Sequence, residues 1–213
     1  MIIAVDGPAA SGKGTLSKRL ANHLGYAHLD TGKIYRAVGF AVLASGGDPD
    51  DPDAAVAAAR ALTPEALENP GLTDDSVAAA ASRAAAITDV RDLLLAFQRD
   101  FAATPPDGAP GAVLDGRDIG TVVCPDADVK LFVDADIEVR AGRRYKELID
   151  RGETTIYARV LQDLKDRDDR DRNRSVAPLK PAADSFVLDT SALDAENAFR
   201  AALAYIESRN TGS

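Results

Sequence analysis

Lys13 lies within Gly7-Pro8-Ala9-Ala10-Ser11-Gly12-Lys13-Gly14-Thr15, a glycine-spaced loop that follows the apolar run Ile2 to Val5 and opens into a helical pattern at Leu16. Strand, loop and helix in this order make an anion cradle. The glycines let the backbone turn its N–H groups inward, the positive end of the helix favours negative charge, and Lys13 reaches the outer phosphates. The triphosphate of ATP is the natural guest of Gly7 to Thr15. In the common nucleotide-hydrolase pattern a Ser or Thr follows the lysine and holds magnesium. Here Gly14 stands there and Thr15 comes one place later, so no metal-ligating side chain is expected. A glycine-rich turn without a ligand is the bland alternative, and the strand before the loop and the helix after it weigh against that.

Phosphoryl transfer asks little covalent help of a protein; it needs a donor and an acceptor held in line, with positive charge around the group in flight. A second anion site is therefore expected, and Arg36, Arg91, Arg117, Arg167 and Arg174 are its candidates. Arg167, Asp171 and Arg174 stand at helical offsets of four and seven, which predicts one shared helix face. Asp115-Gly116-Arg117-Asp118 closes an apolar strand. There Arg117 can grip a phosphate bidentately, Asp118 can accept from an exocyclic amine or a ribose hydroxyl, and Asp115 can hold waters around magnesium. Each group has a plainer reading. The acid and arginine alternation from Lys165 to Arg174 also describes a solvated helix whose exposed pairs contribute roughly 0 to 1 kcal/mol each, and Asp-Gly after a strand is common turn chemistry. A phosphate loop in the same chain favours the site reading.

The elements that must position these groups alternate between strand and helix. Strands are expected at Ile2 to Val5, Ala27 to Asp30, Ala112 to Asp115, Val129 to Val133 and Ser185 to Asp189, separated by helical patterns. That order predicts an α/β fold, a five-stranded parallel sheet flanked by helices, in a single domain spanning residues 1–213. Open parallel sheets bind ligands beyond the carboxyl ends of their strands. The phosphate loop, Asp30 to Arg36, Asp115 to Thr121 and the arginine-rich stretch after Asp134 all follow strand ends and should meet along one rim. Between Asp50 and Ala86 the chain is alanine-rich, with helices expected near Ala54 to Leu62 and Ser76 to Ile87; composition alone favours an inert helical insertion over a mobile lobe. From Asp89 to Phe101 a helix should carry Val90, Leu93, Leu94, Phe97 and Phe101 on one face.

Composition narrows the function classes. A formal net charge of -9 argues against general affinity for nucleic acid or an anionic membrane. No apolar run approaches the length of a membrane span, and no cationic segment precedes an apolar one at the N-terminus, so a cytoplasmic protein is expected. The single cysteine, Cys124, has no internal partner for a disulfide and is expected to be buried. His23 and His28 lack metal-ligand spacing and read as surface or packing residues.

Taken together and in this order, Gly7 to Thr15, Leu29-Asp30-Thr31-Gly32-x-x-Tyr35-Arg36, Asp115-Gly116-Arg117-Asp118-Ile119-Gly120-Thr121 and Arg167-Asp168-Asp169-Arg170-Asp171-Arg172-x-Arg174 resemble the bacterial cytidylate kinases, a branch of the nucleoside monophosphate kinases. The resemblance runs from Met1 to about Leu203. It implies a P-loop kinase fold with a small acceptor-binding lobe and a lid. It implies reversible transfer of the γ-phosphoryl of ATP to CMP or dCMP, with Mg2+ held mainly through phosphates and water, in a monomer without obligate protein partners.

Carried onto matching positions, the resemblance gives Gly7, Pro8, Ala9, Ala10, Ser11, Gly12, Lys13, Gly14 and Thr15 to ATP, with Arg143 and the lid region 152–165 closing over it. Thr31, Asp118, Arg167 and Asp171 would contact the cytosine nucleoside, and Arg36, Arg91, Arg117 and Arg174 the acceptor phosphate or its surroundings. Lys13, Arg117 and Arg174 would carry catalysis. Asp118 would reject uracil, whose carbonyl reverses the donor pattern of the cytosine amine. One stretch departs from the family pattern: residues 50–87 lack the strands of its small antiparallel sheet, so the acceptor lobe is expected to be reduced to helices. Two alternatives stay open from sequence, a related P-loop kinase acting on AMP, UMP, gluconate or shikimate, and a module that binds ATP without transfer.

Overall fold

The strands β1 (Ile2–Asp6), β2 (Ala27–Asp30), β3 (Ala112–Gly116), β4 (Val129–Asp134) and β5 (Phe186–Asp189) form one sheet in the order β2-β3-β1-β4-β5. Every neighbouring pair is parallel. The structure, a computed structural model, describes residues 1–210. β1 is central because its alternate residues feed two cores. Ile3 and Val5 pack toward α1 (Lys13–Leu24) and α8 (Ala195–Asn210). Ala4 faces the other layer, with Leu29, Leu114, α2 (Thr31–Ala44) and α5 (Thr88–Ala103). Cover on both faces is why these strands read as continuous apolar runs.

The insertion contains no strand: α3 (Pro52–Arg60), 3-10 turns at Pro64–Glu68 and Pro70–Thr73, then α4 (Asp75–Ala84). Its alanines are there for close approach. A Cβ on Gly39 of α2 would stand 2.8 Å from the Ala81 nitrogen, so α4 lies against α2 at a distance that larger side chains would prevent. Composition favours an inert insertion, yet α4 brings Ser76, Ala78 and Ala79 to the cavity that Lys13 borders and Ser82 to Asp171.

Helix α5 corrects a second expectation. Its buried face is Val90, Arg91, Leu94, Gln98 and Ala102, while Leu93 and Phe97 are 39% and 47% exposed. The helix is turned so that Arg91 points inward to Asp118, and that places a guanidinium where apolar periodicity alone would put leucine. Helices α6 (Ile137–Asp150) and α7 (Tyr157–Asn173) pack on each other through Ala141, Leu148, Val160 and Leu164, and this cluster reaches the loop at Ala9. No helix among the described residues is long and apolar enough to cross a membrane.

Candidate active site

The loop from Asp6 to Gly12 requires glycine twice. Gly7 has φ 152° and a Cβ there would lie 2.0 Å from the Val133 carbonyl oxygen; Gly12 opens α1 in the left-handed region at φ 92°. No side chain caps the first N–H groups of α1, which leaves those donors and the positive helix end to an anion. The loop is also tethered from behind. The Ser11 carbonyl accepts from Thr190 Oγ1 at 2.9 Å and from Arg143 Nη1 at 3.3 Å. The Ala9 carbonyl accepts from Arg140 Nη1 at 3.2 Å, and Arg140 forks onto Asp168 at 3.1 and 2.5 Å.

Lys13 Nζ lies 3.4 Å from the Pro8 carbonyl, at the edge of a cavity of about 560 Å³. Arg36, Arg117, Arg144, Arg151, Arg167 and Arg170 line the same cavity. This concentration of positive charge has a cost. Desolvation, aided by Arg117 and partly opposed by Asp115 and Asp30, pushes the Lys13 ammonium down to about 7, and desolvation with Arg117 pushes Arg167 down to about 10.

Behind the cavity wall the remaining acceptor candidates are cross-linked. Asp171 accepts from Arg117 Nε at 3.0 Å and from Ser82 Oγ at 3.0 Å, with Arg167 Nε at 4.0 Å. Burial, the largest influence on Asp171, raises its pKa, but Arg117, Arg167 and Arg174 together hold it below the usual carboxylate range. Asp118 accepts from Arg91 and has Arg174 Nη2 at 3.6 Å. Arg167 Nε and Arg174 Nη2 are buried donors beyond hydrogen-bond reach of any protein acceptor. Such donors suit an oxygen-rich ligand, since leaving them unmet costs about 1–3 kcal/mol each.

Lys13, Arg36, Arg117 and Arg167 thus share one cavity, with Arg91, Asp118, Asp171 and Arg174 as a buried layer behind it. Thr31 is buried and gives its hydroxyl proton to the Asp115 carbonyl at 2.8 Å. Arg174 reaches the site by another route than helix periodicity: α7 ends at Asn173, and Arg174 follows it with extended backbone at φ -61° and ψ 142°. Arg143 stands apart from the acceptor cluster. It donates to the carbonyls of Ser11, Thr190 and Leu193 and borders a second cavity, about 260 Å³, between the loop and the start of α8.

Sequence reasoning missed Ser82, Arg140, Asp168 and Asp6, all buried polar residues with polar partners. It also missed His28, whose Nε2 lies 2.9 Å from Asp115 Oδ2. Among the described residues no group of three or more His, Cys, Asp or Glu side chains is arranged to hold a metal ion.

A parallel sheet whose first strand runs into a glycine-rich lysine loop, faced by a basic second site, defines a P-loop kinase. The comparisons with known proteins narrow this. A family model for cytidylate kinase matches residues 3–208, and the chain belongs to the cytidylate kinase family. The cytidylate kinase of Rhodospirillum rubrum is 60% identical over 203 residues, 95% of each chain. That of Paramagnetospirillum magneticum is 60% identical over 208 residues, 98% of each chain. That of Bradyrhizobium diazoefficiens is 58% identical over 212 residues, 100% of this chain and 98% of that one. Among solved structures, an uncharacterized protein from Eubacterium ventriosum shares the fold at 15% identity, with a TM-score of 0.58 over 98% of this chain and 99% of that one.

Proposed function

We propose that this protein transfers the γ-phosphoryl group of ATP to CMP or dCMP, giving ADP and CDP or dCDP, and that the two cavities described above divide the substrates. The observation that carries this is the single cavity shared by Lys13 of the loop and by Arg36, Arg117 and Arg167 of the second site. Donor phosphates on Gly7 to Thr15 and an acceptor phosphate among the arginines would meet there. The cavity bordered by Ser11, Gly12, Thr15, Arg143, Thr190 and Leu193 takes the donor base, because it opens on the outer side of the same loop. Residues 50–87 cover the acceptor, and residues 152–165 form the lid on the donor side.

Each side chain has a task that its surroundings support. Lys13 stabilises charge developing on the transferred group, and Arg117 and Arg174 orient the acceptor phosphate. Asp118 and Asp171 accept from the nucleoside, with Arg91, Arg117 and Ser82 fixing their carboxylates. An Asp118 oxygen facing the cytosine amine would meet the uracil carbonyl as a second acceptor, and an unmatched buried pair of this kind discriminates strongly.

Mg2+ fits this site as an ion that arrives on the phosphates. Asp30 and Asp115, register partners at the ends of β2 and β3, are the side chains that would receive its waters. When bound, the ion would neutralise charge on the phosphates.

The test is ADP release from magnesium-ATP with CMP, dCMP, UMP, AMP, gluconate and shikimate offered separately. Strong preference for CMP and dCMP is expected. ATP binding without release in any mixture would leave a binding module and defeat the transfer reading.

A further inference from the structure

Asp6 is the last residue of β1 and is 4% exposed. Its side chain does not serve the loop that follows it. Oδ1 accepts from the Ile119 N–H at 2.7 Å and Oδ2 from the Gly120 N–H at 2.8 Å, 113 and 114 residues away in sequence. These amides open a single π-helical turn, Ile119–Val123, that no residue of its own caps. Helix starts carry unsatisfied donors and a positive end, so a carboxylate supplied from another strand meets both needs.

The location gives this cap its significance. Parallel pairing of β1 with β3 stops at Asp6 opposite Gly116. Arg117 and Asp118 follow immediately, outside the ladder. On their far side the chain is gripped by Asp6, and on Asp6's own far side begins Gly7. One buried carboxylate therefore joins the first residue of the donor loop to the turn that carries two acceptor-facing side chains. Space reinforces the grip: a Cβ at Gly120 would stand 3.2 Å from Lys130 Cδ and 3.4 Å from Asp6 Oδ2, so Gly120 sits tightly between them.

We infer that Asp6 is a positioning residue for transfer, holding the Arg117–Asp118 turn in register with the phosphate loop through paired hydrogen bonds to Ile119 and Gly120. This rests on the reading of Arg117 and Asp118 as acceptor contacts. Asn at this position keeps one acceptor oxygen and turns an NH2 group toward the other amide, so Asp6→Asn loosens the turn while preserving size.

The experiment compares full-length wild type with Asp6→Asn by amide hydrogen exchange and by steady-state kinetics. Exchange at Ile119 and Gly120 is expected to speed up by about tenfold or more, with Val113 and Leu114 in β3 unchanged. kcat/KM for CMP should fall by about 10- to 100-fold, since a misplacement of about 1 Å can cost about 100-fold, while the ATP dissociation constant stays within about threefold. Unchanged exchange at both amides overturns the inference, as does CMP kcat/KM within about threefold of wild type, or an equal loss for ATP and CMP. Should Asp6→Asn not fold, Asp6→Ala removes the opposed donor; failure of both to fold would make Asp6 a folding residue only and overturn the positioning role. Asp118→Ala, measured in parallel, separates the underlying reading: normal CMP kinetics there would remove the acceptor assignment, while amide exchange in the Asp6 variants still decides the clamp.

Discussion

Asp168→Asn isolates what the strut behind the phosphate loop contributes. The Arg140 and Asp168 side chains are 3% and 10% exposed. The guanidinium serves both carboxylate oxygens, the Ala9 carbonyl and, through Nε at 2.9 Å, the Ala135 carbonyl. Removing one partner of such a buried pair costs about 3–5 kcal/mol, because the other charge stays buried without compensation. The amide oxygen of Asn still accepts one hydrogen bond, worth about 1 kcal/mol, so about 3 kcal/mol is expected. In a chain of this size each kcal/mol shifts Tm by about 2–4 °C, which gives a fall of about 6–12 °C in calorimetry. Arg140→Met should be worse, since it strands a carboxylate and two carbonyls together. Because the Ala9 carbonyl is then released, ATP affinity should fall with stability. A Tm within about 1 °C of wild type for Asp168→Asn, or a milder effect for Arg140→Met, would refute the reasoning.

Three further outcomes are expected. Lys13→Met should keep the fold and lose turnover by about 100-fold or more; near-normal rates would remove Lys13 from the transition state. At pH 8, ATP binding should take up protons: the free Lys13 titrates near 7, phosphates favour the ammonium and raise its pKa, and between the two values the complex holds more protons than the free protein. Calorimetry in buffers of different ionisation heat reads this, and the same uptake in Lys13→Met would refute the assignment. Ser82→Ala removes one of two hydrogen bonds fixing Asp171; at about 1 kcal/mol it should raise KM for CMP about fivefold and leave KM for ATP unchanged, and an unchanged CMP value would detach the insertion from the acceptor.

The sheet is legible in the sequence because strands buried on both faces are mostly apolar, and Ile2 to Val5 and Val129 to Val133 read as such runs. The phosphate loop is legible for a local reason: a cradle built from backbone N–H groups needs glycines at set spacing, and that spacing is written in the chain. Residues acting through distant partners were less visible. Asp6 looks like a strand end, Ser82 like one polar position in an alanine-rich helix, and Asp168 like one acid among many in α7; each acquires meaning only from a residue 28 to 113 positions away. α5 departs from the expected face for a related reason. Periodicity counts apolar residues, and the inward face here includes Arg91 and Gln98, which are buried by polar contacts.

The charge distribution explains why so acidic a chain builds a phosphate site. A net charge of -9 is carried by exposed carboxylates, while the cavity gathers Lys13, Arg36, Arg117, Arg144, Arg151, Arg167 and Arg170. With protein groups alone, the crowding is partly relieved by Asp171 under Arg117, Asp75 on Arg144 and Glu147 on Arg151. Burial and mutual repulsion still leave Lys13 and Arg167 below their usual pKa values. On the proposed reading, donor and acceptor phosphates bound in this cavity would offset that repulsion. A first phosphate would lower the repulsion before a second arrives. Binding of either nucleotide should therefore steady the cations for transfer, and high salt should weaken that effect.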